Sequence, residues 1–431
     1  MAKELLKALP ELIEAGIISS EKAADIRYYL ESKKQPAQNR LLVVFSILGA
    51  ILVGLGIILI LAHNWDDLSR LTKSIIAFIP LLVGQAACAY VILKRPDNTA
   101  WKEGASAFLV FGVGASISLI SQIYHIEGDL GSFMLTWMLL IAPLMYLMRS
   151  SISSLLFIAG ITYYAVLVGY DSYPSENAWP YWGLLLFALP YYYQLIKKQP
   201  KGNFTRFHHW FFPLSLTICF GIWSVGNDEW MIPAYIAMFG VLYLIGQLPY
   251  FQDRKAIENG YMIIGAMGSM SLLITTSFQW FWEEISTHTE ELSLLGGHQE
   301  FWVLLALLLI GTGLLIWRKR QTGWWETKPL EVAFLLYALV FLLGFQLPTI
   351  ARVLVNLLIL ATGVLTVLEG ARKDHLGYLN YGLLIITALI VSRFFDEEIS
   401  FVLRGILFVF VGASFFTANY LMIKKRNQDV A

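Results

Sequence analysis

Apolar runs of roughly 20 residues, the length of helix that crosses a bilayer, recur along almost the whole of this sequence. We place fourteen of them, at 41–62, 72–93, 104–124, 131–148, 152–169, 179–196, 207–225, 230–247, 260–281, 301–317, 330–345, 350–368, 376–391 and 402–423. With 57% hydrophobic and 14% charged residues, the chain is too apolar for a soluble globular protein. The sequence therefore predicts an all-α fold, a polytopic transmembrane helical bundle of about 14 spans.

The basic residues predict the orientation of these spans. If the N-terminus is inside, 26 of the 31 Lys and Arg residues fall in inner segments. The five outer ones are Arg70, Lys73, Arg352, Arg393 and Arg404. Because basic residues accumulate on the cytoplasmic side, we expect a multi-pass protein of the cytoplasmic (inner) membrane with both termini in the cytoplasm. The formal net charge is zero, so the expected partner is the lipid bilayer and not nucleic acid.

Residues 1–38 form the one candidate soluble module, a short cytoplasmic helical hairpin. We predict helices over 3–14 and 20–33, with Gly16 at the C-terminal end of the first and Ser19 or Ser20 as the N-cap of the second. A segment this short rarely folds alone, so it is a candidate for contact with other membrane proteins, a second copy or the membrane surface. Residues 39–431 form the integral membrane domain, divided at about residue 150 into parts 39–150 and 151–431.

Three short strings carry a resemblance to a known family. They are residues 14–19 (EAGIIS), residues 62–66 (AHNWD), and residues 121–125 (SQIYH) with Gly128 and Asp129. In these strings the chain resembles the bacterial predicted membrane protein family built on domain of unknown function 2157, closely over residues 10–150 and more loosely beyond. The resemblance implies a membrane protein and brings no activity with it.

Three uncharged polar residues lie inside apolar runs, namely Gln85, Gln122 and Asn356. An amide in hydrocarbon needs a partner, so we favour bridges between helices; the alternative is that these three side chains line a cavity. No ionisable residue lies near the middle of any run. This absence disfavours a transporter that is driven through a carboxylate at the bilayer midplane.

A second candidate site is a cluster of ionisable residues on the predicted outer face. Its members are His63, Asp66, Asp67, His125, Glu127, Asp129, Arg393, Asp396, Glu397, Glu398 and Arg404. Histidine beside carboxylates suits a divalent metal, but no compact ligand motif is present. We therefore favour hydrated interfacial residues, and we predict no metal site and no cofactor.

Three acidic exits from the membrane resemble one another, at 65–69, 281–286 and 395–400. A repeat of helix pairs would produce this pattern, but interfacial aromatic residues followed by acids produce much of it as well, and we favour that explanation. If the repeat exists, Lys73 should pair with Asp66 or Asp67, and Arg404 with one of the acids at 396–398.

Three functions remain open from the sequence. The leading hypothesis is a carrier, flippase or accessory subunit for a lipid-linked or amphiphilic envelope molecule, because the middle of the membrane region is free of charge and several predicted spans contain proline. The second is a non-transporting scaffold or sensor that recruits cytoplasmic partners through residues 1–38. The third is an intramembrane enzyme that uses His63 and His125. A cavity that is open to one leaflet, continuous across the bilayer and lined by Gln85, Gln122 and Asn356 would favour the first hypothesis, and a solid, sealed bundle would favour the second. With no phosphate loop or nucleophile elbow, no catalytic residue is assigned.

Overall fold

The computed structural model describes residues 9–10, 12–32, 65–170, 178–224, 228–252, 254–287, 299–324, 327–394, 400 and nine positions between 402 and 420. The regular elements in these ranges are helices. They are α1 Ser20–Ser32, α2 Arg70–Lys94, α3 Thr99–Tyr124, α4 Leu130–Ile141, α5 Leu144–Leu147, α6 Ser151–Tyr170, α7 Trp179–Lys198, α8 Asn203–Cys219, α9 Asp228–Gly246, α10 Gly260–Thr275, α11 Gln279–Thr287, α12 Gln299–Thr322, α13 Pro329–Gly344, α14 Pro348–Arg372 and α15 Leu376–Phe394. By its internal contacts the chain divides into two compact units, residues 1–76 and 77–431.

Two turn residues of the first unit have the capping roles that the sequence predicts for them. Gly16 has φ of +68°, and the N–H groups of Gly16 and Ile17 donate to the carbonyls of Ile13 and Leu12. This is the left-handed C-terminal cap that glycine favours. The Ser19 hydroxyl oxygen accepts a hydrogen bond from the N–H of Lys22, so Ser19 is the N-cap of α1.

The expected ion pair of Lys73 is not formed. Among the described residues of the first unit, Lys73 makes no ion pair with Asp66 or Asp67, and its ammonium lies 5.8 Å from the centre of the Trp65 ring. Both carboxylates are exposed, so water solvates them. The contact with the Trp65 ring attracts the Lys73 ammonium in place of an ion pair, and it leaves the ammonium hydrated. The corresponding pair of Arg404 lies outside the described residues.

The prediction of about 14 spans is wrong. In the described ranges, eight helices are long and apolar enough to cross a membrane, or nine if the bent pair α10 and α11 is one span. The predicted run 41–62 and most of 402–423 lie outside the described residues. The chain is a polytopic helical membrane protein with fewer candidate spans than its apolar runs suggest.

Three other predicted runs form helices that are poor spans. Helix α8 has only 17 residues and α13 only 16. Helix α7 has 20 residues, but two prolines and six tyrosine or tryptophan residues lower its hydropathy. An apolar run marks a helix that avoids water, and a helix buried among other helices avoids water as fully as one surrounded by lipid.

Helix α9 is the central helix of the second unit. It packs against α10, α12 and α13, and most of its residues are buried. Its contact with α10 is close because Gly265 has no side chain, and a Cβ there would lie 2.5 Å from the backbone nitrogen of Tyr243. Small residues allow such approaches between membrane helices. The C-terminal end of α9 is thereby held beside the N-terminal end of α10.

The chain bends by 76° between α10 and α11, and neighbouring helices satisfy the backbone at the bend. The Trp282 indole N–H donates to the carbonyl of Thr276 at 2.6 Å, and the Asn356 amide donates to that of Ser277 at 3.0 Å. The Arg393 guanidinium donates to the Ser277 hydroxyl at 2.9 Å. A helix break at membrane depth is tolerated where its freed polar groups find such partners.

Candidate functional site

A cavity of about 570 Å³ lies at one end of the second unit. Helices α9, α12 and α14 end beside it, and α10, α13 and α15 begin there. The chain connections that join these helices in pairs contribute much of its lining. The basic-residue pattern assigned all three connections to the same side of the membrane, and the fold brings them together.

A buried ion triad lies behind the cavity wall. The Lys319 ammonium is 2.6 Å from Glu331 Oε2, and both side chains are 0% exposed. The Arg318 guanidinium donates to Glu331 Oε1. Oε2 also accepts a hydrogen bond from the N–H of Lys328 at the first turn of α13, where the helix dipole favours a negative charge. One carboxylate therefore faces two buried cations, which leaves the triad with a net positive charge.

Two cations at the cavity share one neutral oxygen. The Lys328 ammonium donates to Gln247 Oε1 at 2.9 Å, and Arg318 Nη2 is 3.4 Å from the same atom. The ammonium is also 3.2 Å from the Tyr378 hydroxyl and 4.9 Å from the centre of that ring. Lys328 and Arg318 are thus close neighbours, and an amide oxygen is a weak partner for two positive charges.

A second guanidinium, that of Arg254, is held at the cavity by an aromatic ring. It stacks 4.1 Å over Tyr250, and its Nε donates to the Tyr250 carbonyl at 3.1 Å. These contacts leave Nη1 buried with no hydrogen-bond partner among the described residues, and the same is true of Nε in Arg318. Buried donors without an acceptor are uncommon, because each forfeits its hydration.

The lining of the cavity is strongly cationic. Four basic side chains contribute, from Arg254, Arg318, Lys328 and Lys373. Among the described lining residues Glu369 is the one carboxylate, and it lies 2.9 Å from Lys373. Arg318 pairs with Glu331 behind the wall, and no carboxylate in the described lining balances Arg254 and Lys328, so the cavity favours an anion.

The α10 side of the cavity is apolar and reaches the surface of the bundle. Met262, Ile263, Ala266 and Met267 line this side, and Met267 is 60% exposed. The Tyr381 hydroxyl of α15 donates to the carbonyl of Ala266 at 2.9 Å, which fixes the two helices beside each other. A pocket with convergent polar groups and an apolar wall suits a ligand that has a charged head and an apolar chain.

A family model matches the N-terminal third of the chain. Residues 10–154 match the family model described as Predicted membrane protein (DUF2157). The match covers about a third of the chain and shows its similarity to that family. The resemblance seen in the sequence is confirmed, and the chain is a multi-pass membrane protein whose helices contact the lipid bilayer. No curated protein and no solved structure matches the chain. All the cavity residues lie beyond the DUF2157 segment.

A buried carboxylate within the DUF2157 segment has a structural partner. Glu103 of α3 accepts hydrogen bonds from the N–H groups of Ser151 and Ile152 at 3.0 and 2.9 Å, and from the Ser150 hydroxyl. These groups form the N-terminus of α6, where the N–H groups lack partners within the helix. Glu103 therefore caps a helix that begins 48 residues later in the chain.

The three amides predicted as cavity lining do not meet at the cavity described here. Gln85 on α2 and Gln122 on α3 are exposed on their helices. Asn356 donates to the carbonyls of Ser277 and Arg352 and so bridges α14 to the bend after α10. None of the three is among its lining residues.

The described members of the outer-face cluster are mostly exposed. Asp66 and Asp67 belong to the first unit, and His125 and Glu127 to the second. No three His, Cys, Asp or Glu residues in the described part of the chain are placed to hold a metal. The remaining members His63, Asp396, Glu397, Glu398 and Arg404 lie outside the described residues.

Two cluster members have identifiable structural contacts. Asp129 caps α4 by accepting hydrogen bonds from the Ser132 hydroxyl and N–H at 2.6 and 2.9 Å, and the hydroxyl bond in particular holds the pKa of Asp129 below its usual value. Arg393 stacks 4.6 Å from Phe278 at the bend after α10. Both contacts are with neighbouring protein groups, and they give Asp129 and Arg393 structural roles.

Sequence reasoning missed the residues of the cavity, although one signal was available. The C-terminal turn of α12 and the connection to α13 hold four basic residues, as many as any short inner segment: Arg318, Lys319, Arg320 and Lys328. In the sequence these residues indicate only the orientation of the spans. Glu331 follows Pro329 by two positions, as is typical of a helix start, and nothing in the sequence shows that it faces two buried cations.

Proposed function

We propose that this protein handles an amphiphilic or lipid-linked molecule of the bacterial envelope, as a carrier, flippase or accessory subunit, and that the cavity holds the polar end of that molecule. One observation supports the proposal most directly. The cationic lining of the cavity lies next to an apolar wall, and this wall extends to the exposed side chain of Met267. A membrane lipid can enter such a site sideways, with its chain against α10 and its head among the basic residues.

The proposal places the cavity on the cytoplasmic side of the inner membrane, with both termini on that side. The support is the positive-inside rule, since the connections that meet at the cavity are rich in Lys and Arg. A carrier or flippase would therefore collect its substrate from the inner leaflet.

Cysteine labelling in intact cells tests this orientation. We expect a membrane-impermeant maleimide to label Glu284→Cys, after the bend, and to leave Lys255→Cys unlabelled until the membrane is permeabilised. Both positions are exposed, while the native Cys88 and Cys219 are buried, which keeps the background low. Labelling of Lys255→Cys in intact cells, with Glu284→Cys protected, would reverse the proposed orientation.

Photocrosslinking tests binding of an amphiphile. The probe is lysophosphatidic acid with a diazirine near the glycerol end of its chain, added to the full chain in lipid nanodiscs. We expect peptide mass spectrometry to find severalfold more label on α10 at Met262, Ile263 and Met267 than at Leu357 and Leu360 of α14. Those two leucines are also exposed on a candidate span, so they report unspecific contact with lipid.

Competition completes this test. An excess of unlabelled lysophosphatidic acid should reduce the label on α10 and leave that on α14 unchanged, because a cavity saturates and a lipid-facing surface does not. Equal labelling of the two helices, unaffected by the competitor, would contradict the proposed function. Movement of the same probe between leaflets of proteoliposomes would then separate a flippase from an accessory subunit.

A further inference from the structure

We infer that the cavity binds a phosphoryl group, held by Arg254, Arg318 and Lys328. The inference rests on the proposed function, since it names the chemistry of the head that the cavity holds. It is argued from three features of the site: the balance of charge, the unused hydrogen-bond donors and the number of oxygens that these donors require.

The charge balance requires an anion of more than one charge. Glu369 forms an ion pair with Lys373 and balances its charge. Glu331, behind the wall, already pairs with two buried cations. No carboxylate within the described lining remains for Arg254 and Lys328. A phosphate monoester carries about 1.5 to 2 negative charges at neutral pH, which suits this excess better than the single charge of a carboxylate.

The hydrogen bonds point to the same group. Within the described ranges, Arg254 Nη1 and Arg318 Nε are buried without acceptors, and the Lys328 ammonium contacts the neutral oxygens of Gln247 and Tyr378. An anion that supplied acceptors to these atoms would remove the penalty of burying unpaired donors. Charge-assisted hydrogen bonds of this kind are stronger than the amide contacts they would replace.

The arrangement of the donors favours three or more oxygens over two. The donors come from three separate places: the connection after α9, the C-terminal turn of α12 and the residue before α13. A carboxylate has two oxygens in one plane, whereas a phosphoryl group presents three in different directions. Arginine and lysine together, one a planar fork and one a point charge, are the side chains that commonly bind phosphate.

The test measures ligand affinity with the full chain in detergent. The probes are oleoyl lysophosphatidic acid, oleate as the carboxylate of matched chain, and inorganic phosphate alone. We expect lysophosphatidic acid to bind at least about tenfold more tightly than oleate, and Arg254→Gln and Lys328→Gln each to weaken its binding by about tenfold, as expected for one charge-assisted hydrogen bond.

Arg372→Gln is the matched control for these variants. Arg372 is an exposed arginine near the end of α14 that does not line the cavity, so its replacement should leave the affinity unchanged. The thermal unfolding midpoint of each variant without ligand shows whether it is folded. Arg318 is left intact because it pairs with buried Glu331, and its loss would disturb the fold itself.

The outcomes separate this inference from the proposed function. If lysophosphatidic acid binds more tightly than inorganic phosphate, and Arg254→Gln and Lys328→Gln weaken both, both proposals are supported. If inorganic phosphate binds as tightly as lysophosphatidic acid and depends on the same residues, the phosphoryl site stands and the amphiphile function fails. If oleate binds as tightly as lysophosphatidic acid, or the two variants behave like Arg372→Gln, the phosphoryl inference is overturned, while saturable crosslinking on α10 would still support the proposed function.

Discussion

Replacing Glu331 by glutamine is expected to lower the free energy of unfolding of the detergent-solubilised protein by about 3–5 kcal/mol. The carboxylate is fully buried and pairs with Arg318 and Lys319, of which Lys319 is fully buried too. Glutamine has nearly the same shape but no charge, so two cations would remain buried without their counterion. Breaking a buried pair by removing one partner is among the most destabilising single changes.

Glu369→Gln is the matched control for this prediction. It breaks the pair between Glu369 and Lys373, whose side chains are 17% and 55% exposed, so it should cost only about 0 to 1 kcal/mol. The measurement is the unfolding midpoint of each variant in the same detergent. Adding Lys319→Met to Glu331→Gln should recover much of the lost stability, because it removes a buried charge whose ion pair with Glu331 is already lost. Equal midpoints for Glu331→Gln and Glu369→Gln would show that the triad is solvated and not buried.

Much of the fold follows from the sequence because hydropathy and capping are local properties. Apolar runs of membrane-spanning length predicted helices such as α3, α6 and α14, and Gly16 and Ser19 have the capping roles expected of them. The span count was too high because hydropathy does not distinguish lipid from protein as the surroundings of a helix. Helices α7, α8 and α13 show this ambiguity.

The candidate site was much less predictable because it depends on which helix ends meet. Arg254 is more than 60 residues away from Arg318 and Lys328 in the sequence, and the packing of α9 with α10, α12 and α13 brings them to one cavity. The sequence instead drew attention to Gln85, Gln122 and Asn356, since an amide within an apolar run is conspicuous. Of these, Asn356 has the bridging contact that was the favoured interpretation.

Glu103 is another residue whose contacts cannot be predicted from the sequence. In the sequence it lies just before an apolar run, where a long polar side chain usually extends to the interface. In the structure it is buried, and three donors of the α6 N-terminus bind its carboxylate. Its partners are Ser150, Ser151 and Ile152, which no local pattern connects to residue 103.

Glu103→Ala should therefore destabilise the protein by on the order of 3 kcal/mol, because it removes the acceptor of three donors, two on buried residues and one on a half-buried residue, at about 1 kcal/mol each. Asp129→Ala is the control, since Asp129 also accepts hydrogen bonds at a helix N-terminus, but at an exposed position where water replaces the lost acceptor. The unfolding midpoint of Glu103→Ala should be clearly the lower of the two. Hydrogen exchange should also show that the amides of Ser151 and Ile152 lose protection in this variant. A midpoint for Glu103→Ala at or above that of Asp129→Ala, with both amides still protected, would mean that α6 is capped without Glu103.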